Sequence, residues 1–149
     1  MNENVSADDL KLTLKTTFGY LDFRKGQLEI IERILVNENI LAVMPTGAGK
    51  SLCYQLPAII SKRLTIVVSP LVSLIDDQAK GLKENGVEVA RIHSGQTYEV
   101  NVENWKLFSS GASKILYLSP ERLMQDRMLS ALKQCSIGTF VIDEAHCIS

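Results

Sequence analysis

Short apolar runs alternate with stretches of helical periodicity along most of the chain. Residues 64–68 and 137–142 are apolar runs rich in strand-forming side chains, which predicts buried strands. Residues 72–84 and 120–134 repeat apolar positions at helical spacing. This alternation predicts an α/β fold, a mostly parallel sheet with helices on both faces. Further strands are predicted at 40–44, 87–92 and 114–118, with 87–92 nearer an edge because it alternates most, and further helices at 51–60 and 99–109.

A helical segment precedes this alternation. Ser6 followed by acidic residues is a typical helix start, and the helix is expected to end near Gly19. A second helix is predicted at 24–36, where apolar residues form a stripe. The predicted domains are therefore an N-terminal helical segment, 1–36, and an α/β domain, 37–149.

The composition is that of an ordinary globular protein. The chain has 149 residues, room for one domain, and 46% of them are hydrophobic. No apolar run approaches the ~20 residues of a membrane span, and the N-terminus lacks the charged and apolar regions of a signal peptide. We therefore expect no membrane partner and a cytoplasmic location, associated with the nucleoid of a bacterium.

The net charge and the cysteine positions argue against two classes of feature: a strongly basic nucleic-acid-binding surface, and a zinc site or disulfide framework. The net charge of −1 gives no basic signature of nucleic-acid binding. The three cysteines, Cys53, Cys135 and Cys147, are too scattered for a zinc site or a disulfide framework. We expect small buried residues in a reducing compartment.

Residues 44–51, MPTGAGKS, have the makeup of a phosphate-binding loop. The run lies between a predicted strand and a predicted helix, so backbone N–H groups and the helix N-terminus converge on phosphate oxygens. Lys50 would supply charge to the β- and γ-phosphates, and the Ser51 hydroxyl would bind Mg²⁺. Met44 stands where the general pattern has its first glycine, and the alternative is a glycine-rich turn before Lys-Ser. The predicted nucleotide-binding residues are Thr46, Gly47, Ala48, Gly49, Lys50 and Ser51.

An acidic pair, Asp143 and Glu144, follows the predicted strand at 137–142. Asp143 is expected to hold Mg²⁺ and Glu144 to orient the attacking water, with His146 coupling the nucleotide site to a neighbouring domain. The alternatives are a solvated acidic turn and a hydrogen-bonded structural histidine. Ligands of open parallel sheets lie at the carboxyl ends of the strands, so this motif and the phosphate loop are expected at one edge. Together they predict a motor driven by a nucleoside triphosphate, with Lys50, Asp143, Glu144 and His146 as catalytic residues.

Five segments resemble, in order and spacing, the motifs of RecQ-family DNA helicases of superfamily 2. They cover nearly the whole chain, from about residue 10 to 149. Lys25 replaces a proline often seen in the first of them. The resemblance implies a RecA-like P-loop domain from an ATP-dependent 3′-to-5′ DNA helicase that couples ATP hydrolysis to unwinding in recombination and repair. The segments are 18–20 with 23–27 (motif 0), 44–58 (motif I), 67–78 (motif Ia), 118–123 (a further DNA-facing motif) and 141–149 (motif II).

The resemblance also implies how the base of the nucleotide is recognised. Tyr20 and Arg24 would sandwich the adenine ring, since an aromatic face and a guanidinium plane both stack on a base. Gln27 would hydrogen-bond the adenine edge and favour ATP over other nucleotides. The implied cofactors are ATP and Mg²⁺. For Phe18 and Phe23 we favour the alternative, a packing role in the helical segment.

Two Ser-Pro loops, each after a strand and before a helix, are the predicted DNA contacts. Helix N-termini bind phosphates without reading sequence, and the family places single-stranded DNA across these loops. The loop 93–96 occupies a similar position. The alternative is that Ser-Pro only caps a helix, and Trp105 is expected to be a packing residue. The predicted contacts with single-stranded or duplex-junction DNA are Ser69, Pro70, Leu71, Ser73, Ser94, Ser119, Pro120 and Arg122.

Helicases of this family use a second motor domain, which supplies arginine fingers, and a central strand after motif II. The resemblance therefore implies that 1–149 is the N-terminal part of a first motor domain, truncated at its C-terminal side. We expect the isolated fragment to be inactive, marginally stable and prone to self-association through strand edges. A small-molecule kinase or GTPase is the first alternative, but the sequence has neither the complete phosphate-loop pattern nor the guanine-reading motif expected of those proteins. A truncated nucleotide-binding or regulatory module without turnover stays open.

Overall fold

The computed structural model describes residues 4–45 and 49–144. By packing, the chain divides into two compact units between Lys62 and Arg63. The sequence-based division at 36/37 separates motifs rather than packed bodies, and it remains a proposal about domains.

Among its described residues, the first unit is helical. Its elements are α1 (Ala7–Thr13), a π-helical turn (Leu14–Phe18), α2 (Gln27–Leu35) and α3 (Lys50–Ile60). The predicted start at Ser6 is confirmed, because its Oγ accepts from the Asp9 N–H at 3.1 Å while Asp9 Oδ2 accepts from the Ser6 N–H at 3.0 Å. The predicted end is also confirmed, since Gly19 caps the π-helical turn in the left-handed conformation with φ 76°.

A compact apolar cluster joins the helices of this unit. Its buried members come from α1, the π-helical turn, α2 and α3: Leu10, Leu14, Ile31, Leu52 and Leu56. Phe18 and Phe23 are partly buried and pack against the cluster. The packing role predicted for these two aromatic residues is therefore confirmed.

The predicted strand at 40–44 is wrong. The segment has no regular structure, and Leu41 and Val43 are 85% and 89% exposed. A strand is stabilised by backbone pairing with a neighbour, and no described strand pairs with these residues. Apolar, β-branched composition alone therefore did not make this segment a strand.

The second unit contains a four-stranded sheet in the order β2-β3-β1-β4. All described pairings are parallel, which confirms the predicted sheet. β2 lies at an edge, as its alternation predicted. The elements are β1 (Leu64–Val68), α4 (Val72–Glu84), β2 (Ala90–Ile92), α5 (Tyr98–Ser109), β3 (Ile115–Leu118), α6 (Pro120–Leu123), α7 (Asp126–Lys133) and β4 (Ile137–Ile142).

Two predicted elements differ in extent from those observed. β2 begins at Ala90 rather than 87, because the Val87 N–H donates to Leu82 O at 2.9 Å and closes the end of α4 instead of entering the sheet. The predicted helix at 120–134 is two helices, because Gln125 has an extended backbone with ψ 131°. That residue interrupts the helix and is the N-cap of α7.

Helices cover both faces of the sheet. One face buries Ile66, Leu116 and Phe108 in a cluster to which α5 and α7 contribute, and Trp105 packs there with its ring centroid 6.0 Å from that of Phe108. The packing role of Trp105 is confirmed. Successive strand residues point to opposite faces, and Arg91, between the two β2 members of the cluster, reaches Asp76 of α4. α4 therefore covers the other face.

Side-chain amides close the outer edge of β2. Asn104 Oδ1 accepts from the Arg91 N–H at 3.0 Å, and Gln96 Nε2 donates to Arg91 O at 2.9 Å. Asn101 accepts from the His93 N–H at 3.4 Å and donates to His93 O at 3.1 Å. These amides bond backbone groups that a fifth strand would otherwise pair with, which protects the edge from association.

β4 ends the sheet on the other side. Its Phe140 and Ile142 side chains are 48% and 53% exposed, and its outer edge has no partner strand among the described residues. No helix in the described part of the chain is long and apolar enough to cross a membrane.

Gly138 supplies a testable feature of this sheet. The pairing of β4 with β1 shifts by one residue at Gly138, and a Cβ there would lie 2.5 Å from Arg63 Cβ. We expect Gly138→Ala to lower the free energy of unfolding by about 1–3 kcal/mol, measured by urea denaturation. Gly81→Ala is the matched control: nothing lies within 4 Å of its Cβ position in α4, so it should stabilise by about 1 kcal/mol. A Gly138→Ala protein as stable as the parent would contradict this packing.

Candidate functional site

A buried glutamine anchors the start of α3. Gln27 is 3% exposed; its Oε1 accepts from the Arg24 N–H at 2.8 Å and its Nε2 donates to Gly49 O at 3.0 Å. Gly49 is the N-cap of α3 with φ 78°, and a Cβ there would lie 2.5 Å from Gln27 Nε2. The close approach and the left-handed backbone both require glycine at this position.

Lys50 and Ser51 are the first two residues of α3, and both are partly buried. A helix N-terminus offers N–H groups and a partial positive charge, so it suits an anionic ligand. The Lys50 ammonium adds a full charge, and the Ser51 hydroxyl is an oxygen donor of the kind that Mg²⁺ accepts. The predicted nucleotide-binding residues Thr46, Gly47 and Ala48 lie outside the described residues.

The two residues predicted to stack on adenine have different surroundings. Tyr20 is 55% exposed and follows the left-handed Gly19. Arg24 is exposed, and its Nη1 lies 3.9 Å from the position that a Cβ on Gly49 would take. The guanidinium is therefore near the start of α3, and stacking by either residue remains a prediction.

Cys53 lies one turn into α3 and is buried, as expected. Burial raises the pKa of its thiol to about 11, so it stays protonated near neutral pH and packs rather than reacts. Cys135 is half-buried, and Cys147 lies outside the described residues. Over the described ranges, no group of three or more His, Cys, Asp or Glu side chains could hold a metal ion.

In the second unit, four residues follow four neighbouring strands at one edge of the sheet. The Ser69 N–H donates to Leu118 O at 3.0 Å, and the Asp143 N–H donates to Val68 O at 2.9 Å. The Ser119 N–H donates to Ile92 O at 3.4 Å. The strand hydrogen bonding thus continues one residue beyond β1, β3 and β4, and His93 follows β2. This edge therefore presents, in order, His93, Ser119, Ser69 and Asp143.

The acidic pair ends β4 in a tight turn. Glu144 has a left-handed backbone with φ 54°, which is uncommon outside glycine, and its N–H donates to Asp143 Oδ1 at 2.9 Å. This bond orients the half-buried Asp143 carboxylate, whose oxygens are suitable Mg²⁺ ligands. His146 lies outside the described residues.

The residues predicted to contact DNA fall into buried, partly buried and exposed groups. The Oγ atoms of Ser69 and Ser119 are buried and have no hydrogen-bond partner among the described residues, so a phosphate would reach them only if the loops opened. Leu71, Ser73 and Ser94 are exposed. The partly buried members are Pro70, Pro120 and Arg122, whose Nη1 lies 3.5 Å from Gln125 Oε1.

The N-terminus of α4 has no side-chain cap at this edge. Leu71 is its N-cap and has no side-chain capping bond, whereas α1 and α5 are capped by Ser6 and Thr97. The first-turn N–H groups of α4 are therefore not capped by the preceding side chain. α6 also begins at a Ser-Pro pair but is a single short turn.

Sequence reasoning missed one polar network at this edge. Asp76 of α4 contacts both His93 Nε2, at 2.8 Å, and Arg91 Nη1, at 3.2 Å. Asp76 lies in the segment 67–78 but was given no role there, and Asn101 lies in no motif. Their shared partner His93 is 17 and 8 residues away, respectively. A histidine directly before Ser-Gly was the only local signal.

The role of Gln27 can be tested by removing its two bonds. We expect Gln27→Ala to lower the free energy of unfolding by about 1–3 kcal/mol, because it leaves the Arg24 N–H and Gly49 O without their amide partner. Gln134→Ala, at an exposed glutamine, is the control and should change stability by less than about 0.5 kcal/mol. Equal, small changes for both variants in urea denaturation would show that Gln27 does not anchor α3.

Known proteins resemble this chain over nearly its whole length. A family model described as DEAD/DEAH box helicase matches residues 24–149. The ATP-dependent DNA helicase RecQ of Pasteurella multocida is 44% identical over 136 residues, which are 91% of this chain and 22% of that protein. The RecQ helicase of Haemophilus influenzae is 46% identical over 136 residues, with the same coverage of each chain. The predicted resemblance is confirmed, and the chain spans about a fifth of the length of these relatives.

A solved structure supports the fold. The crystal structure of a hypothetical ATP-dependent RNA helicase from Sulfolobus tokodaii superposes with a TM-score of 0.77 at 21% identity, covering 96% of this chain and 43% of that one. The predicted RecA-like α/β architecture is thereby confirmed.

Proposed function

The chain belongs to the DEAD/DEAH box helicase family, and from this we propose that it is the nucleotide-binding part of a RecQ-type, ATP-dependent DNA helicase. The reaction of the whole protein would be ATP hydrolysis coupled to 3′-to-5′ unwinding in recombination and repair. Its partner would be single-stranded or duplex-junction DNA.

The observation that carries this proposal is the hydrogen bond between neighbouring strand ends. The Asp143 N–H donates to Val68 O at 2.9 Å, and Val68 precedes Ser69, where the first predicted DNA loop begins. A residue assigned to hydrolysis and a loop assigned to DNA are thus attached to adjacent strands. A movement of one strand end would therefore shift the other. A motor needs such a mechanical coupling between ATP hydrolysis and DNA contact.

In the first unit, the proposed ligand is the triphosphate of ATP. The start of α3 supplies N–H groups, Lys50 supplies charge to the β- and γ-phosphates, and Ser51 supplies a hydroxyl for Mg²⁺. The two described bonds of Gln27 use half the capacity of its amide, which leaves a donor and an acceptor for the adenine edge. Tyr20 and Arg24 are proposed to stack on the base.

In the second unit, the proposed roles concern hydrolysis. Asp143, oriented by the Glu144 N–H, is proposed as a Mg²⁺ ligand. Bound Mg²⁺ would neutralise charge that develops on the phosphates. Glu144 is proposed to hold the attacking water, and the left-handed turn fixes its backbone at the end of β4. His146 is proposed to couple this motif to a neighbouring domain.

Nucleotide binding is tested by titration calorimetry with Mg-ATP and Mg-GTP. We expect Lys50→Ala to weaken ATP binding roughly 10- to 100-fold, because hydrogen bonds to charged groups are strong. Gln27→Ala should reduce the preference for ATP over GTP. Lys80→Ala, at an exposed lysine of α4, is the control and should bind as the parent does.

The outcomes separate two functions. ATP binding by the parent, followed by DNA-stimulated phosphate release, supports the motor assignment. Binding that is abolished in Lys50→Ala, without any phosphate release, favours a nucleotide-binding module without turnover. A parent chain that binds no nucleotide would contradict both.

DNA contact is tested by charge substitution at exposed positions of two loops. We expect Ser73→Glu and Ser94→Glu each to weaken binding of a fluorescein-labelled oligothymidylate about tenfold, since like charges placed together are costly. Ser130→Glu adds the same charge on α7, which covers the opposite face of the sheet from α4, and should have little effect. Equal losses in all three variants, measured by fluorescence anisotropy, would indicate only non-specific repulsion.

A further inference from the structure

The ring of His93 joins α4 to the loop that follows β2. His93 is 2% exposed, and both ring nitrogens have protein partners. Nε2 lies 2.8 Å from Asp76 Oδ1, and Nδ1 accepts from the Gly95 N–H at 3.1 Å. A backbone N–H can only donate, so Nδ1 is the acceptor, and Nε2 carries the proton that is donated to Asp76.

The backbone of the loop lies close against this ring. A Cβ on Gly95 would lie 3.0 Å from His93 Nδ1 and 3.5 Å from Val72 Cγ1, at the first residue of α4. The backbone of His93 is itself held by two bonds to Asn101. The ring is therefore fixed at its backbone by α5 and at its tip by α4, with the loop resting on it.

Packing alone does not account for this arrangement. A leucine would fill a similar volume without burying polar nitrogens, and burying a polar ring costs free energy unless both nitrogens are bonded. Asp76 Oδ1 also contacts Arg91 Nη1 at 3.2 Å, so the carboxylate joins α4, β2 and the loop. The bonds set a specific geometry between two segments that carry Ser73 and Ser94.

We propose that Asp76 and His93 are a positioning pair that holds the loop 94–96 in register with the N-terminus of α4, so that both segments meet one nucleic-acid backbone. The pair itself does not touch the nucleic acid. This inference rests on the DNA contact proposed above for Ser73 and Ser94.

A double-mutant cycle tests the pair, with affinity for a fluorescein-labelled oligothymidylate measured by anisotropy at several salt concentrations. We expect His93→Leu and Asp76→Leu each to weaken binding about tenfold, and the double variant to bind no more weakly than either single variant. The slope of log affinity against log salt should stay at the parent's value, because Ser73, Ser94 and Gln96 are uncharged and losing their contacts releases no counterions. Asp76→Asn should bind within about twofold of the parent, because its Oδ1 still accepts from Nε2–H.

Two further measurements separate positioning from folding. Urea denaturation and Mg-ATP binding are recorded for every variant, and losses confined to DNA affinity support the pair. His93→Gln serves if His93→Leu does not fold: it keeps a donor for Asp76 but offers Gly95 no acceptor at the Nδ1 position, and it should also bind weakly.

Parental affinity in His93→Leu, or in His93→Gln where His93→Leu does not fold, would overturn the positioning pair. The pair would also be overturned if the loss of affinity in the double variant equalled the product of the losses in the two single variants. Failure of the parent to bind oligothymidylate would instead overturn the DNA contact on which the pair rests. The parent and the variants therefore fail in distinguishable ways.

Discussion

The parallel ladder that continues one residue past β1, β3 and β4 is the constraint on which the second unit depends. Ser69, Ser119 and Asp143 each donate a backbone N–H to a residue at or near the end of the adjacent strand. Because these bonds fix neighbouring strand ends at one edge, chemistry placed after different strands is brought into one row. The acidic turn and the loops before α4 and α6 therefore share an edge although they are far apart in sequence.

The two outer strands of the same sheet differ in how their outer edges are covered. Asn104 and Gln96 bond the outer backbone groups of β2 at Arg91, and Asn101 bonds those of the next residue, His93. Side chains of the following loop and helix therefore close this edge. β4 has no such cover among the described residues, and Phe140 and Ile142 are about half exposed. Amide side chains can replace a missing strand because they offer a donor and an acceptor in the spacing of a peptide group.

Glycine and amide pairing also organises the first unit. Gly49 can approach Gln27 only because it has no Cβ, and the resulting bond connects the first residue of α2 to the start of α3. Gly95 likewise lies against a side chain, the His93 ring, at a distance that leaves little room for a Cβ. At both positions a backbone group next to a candidate ligand site is held by a buried polar side chain.

The sequence by itself determined the order and type of most elements, since apolar periodicity and capping residues such as Ser6 act over a few positions. The sequence also identified the family, because the residues of each motif and their order along the chain are read directly from the sequence. Tertiary structure decided that 40–44 is not a strand, since pairing requires a neighbour that no local pattern supplies. It alone joined Asp76 to His93 and Gln27 to Gly49, 17 and 22 residues apart, because such bonds depend on which elements pack together.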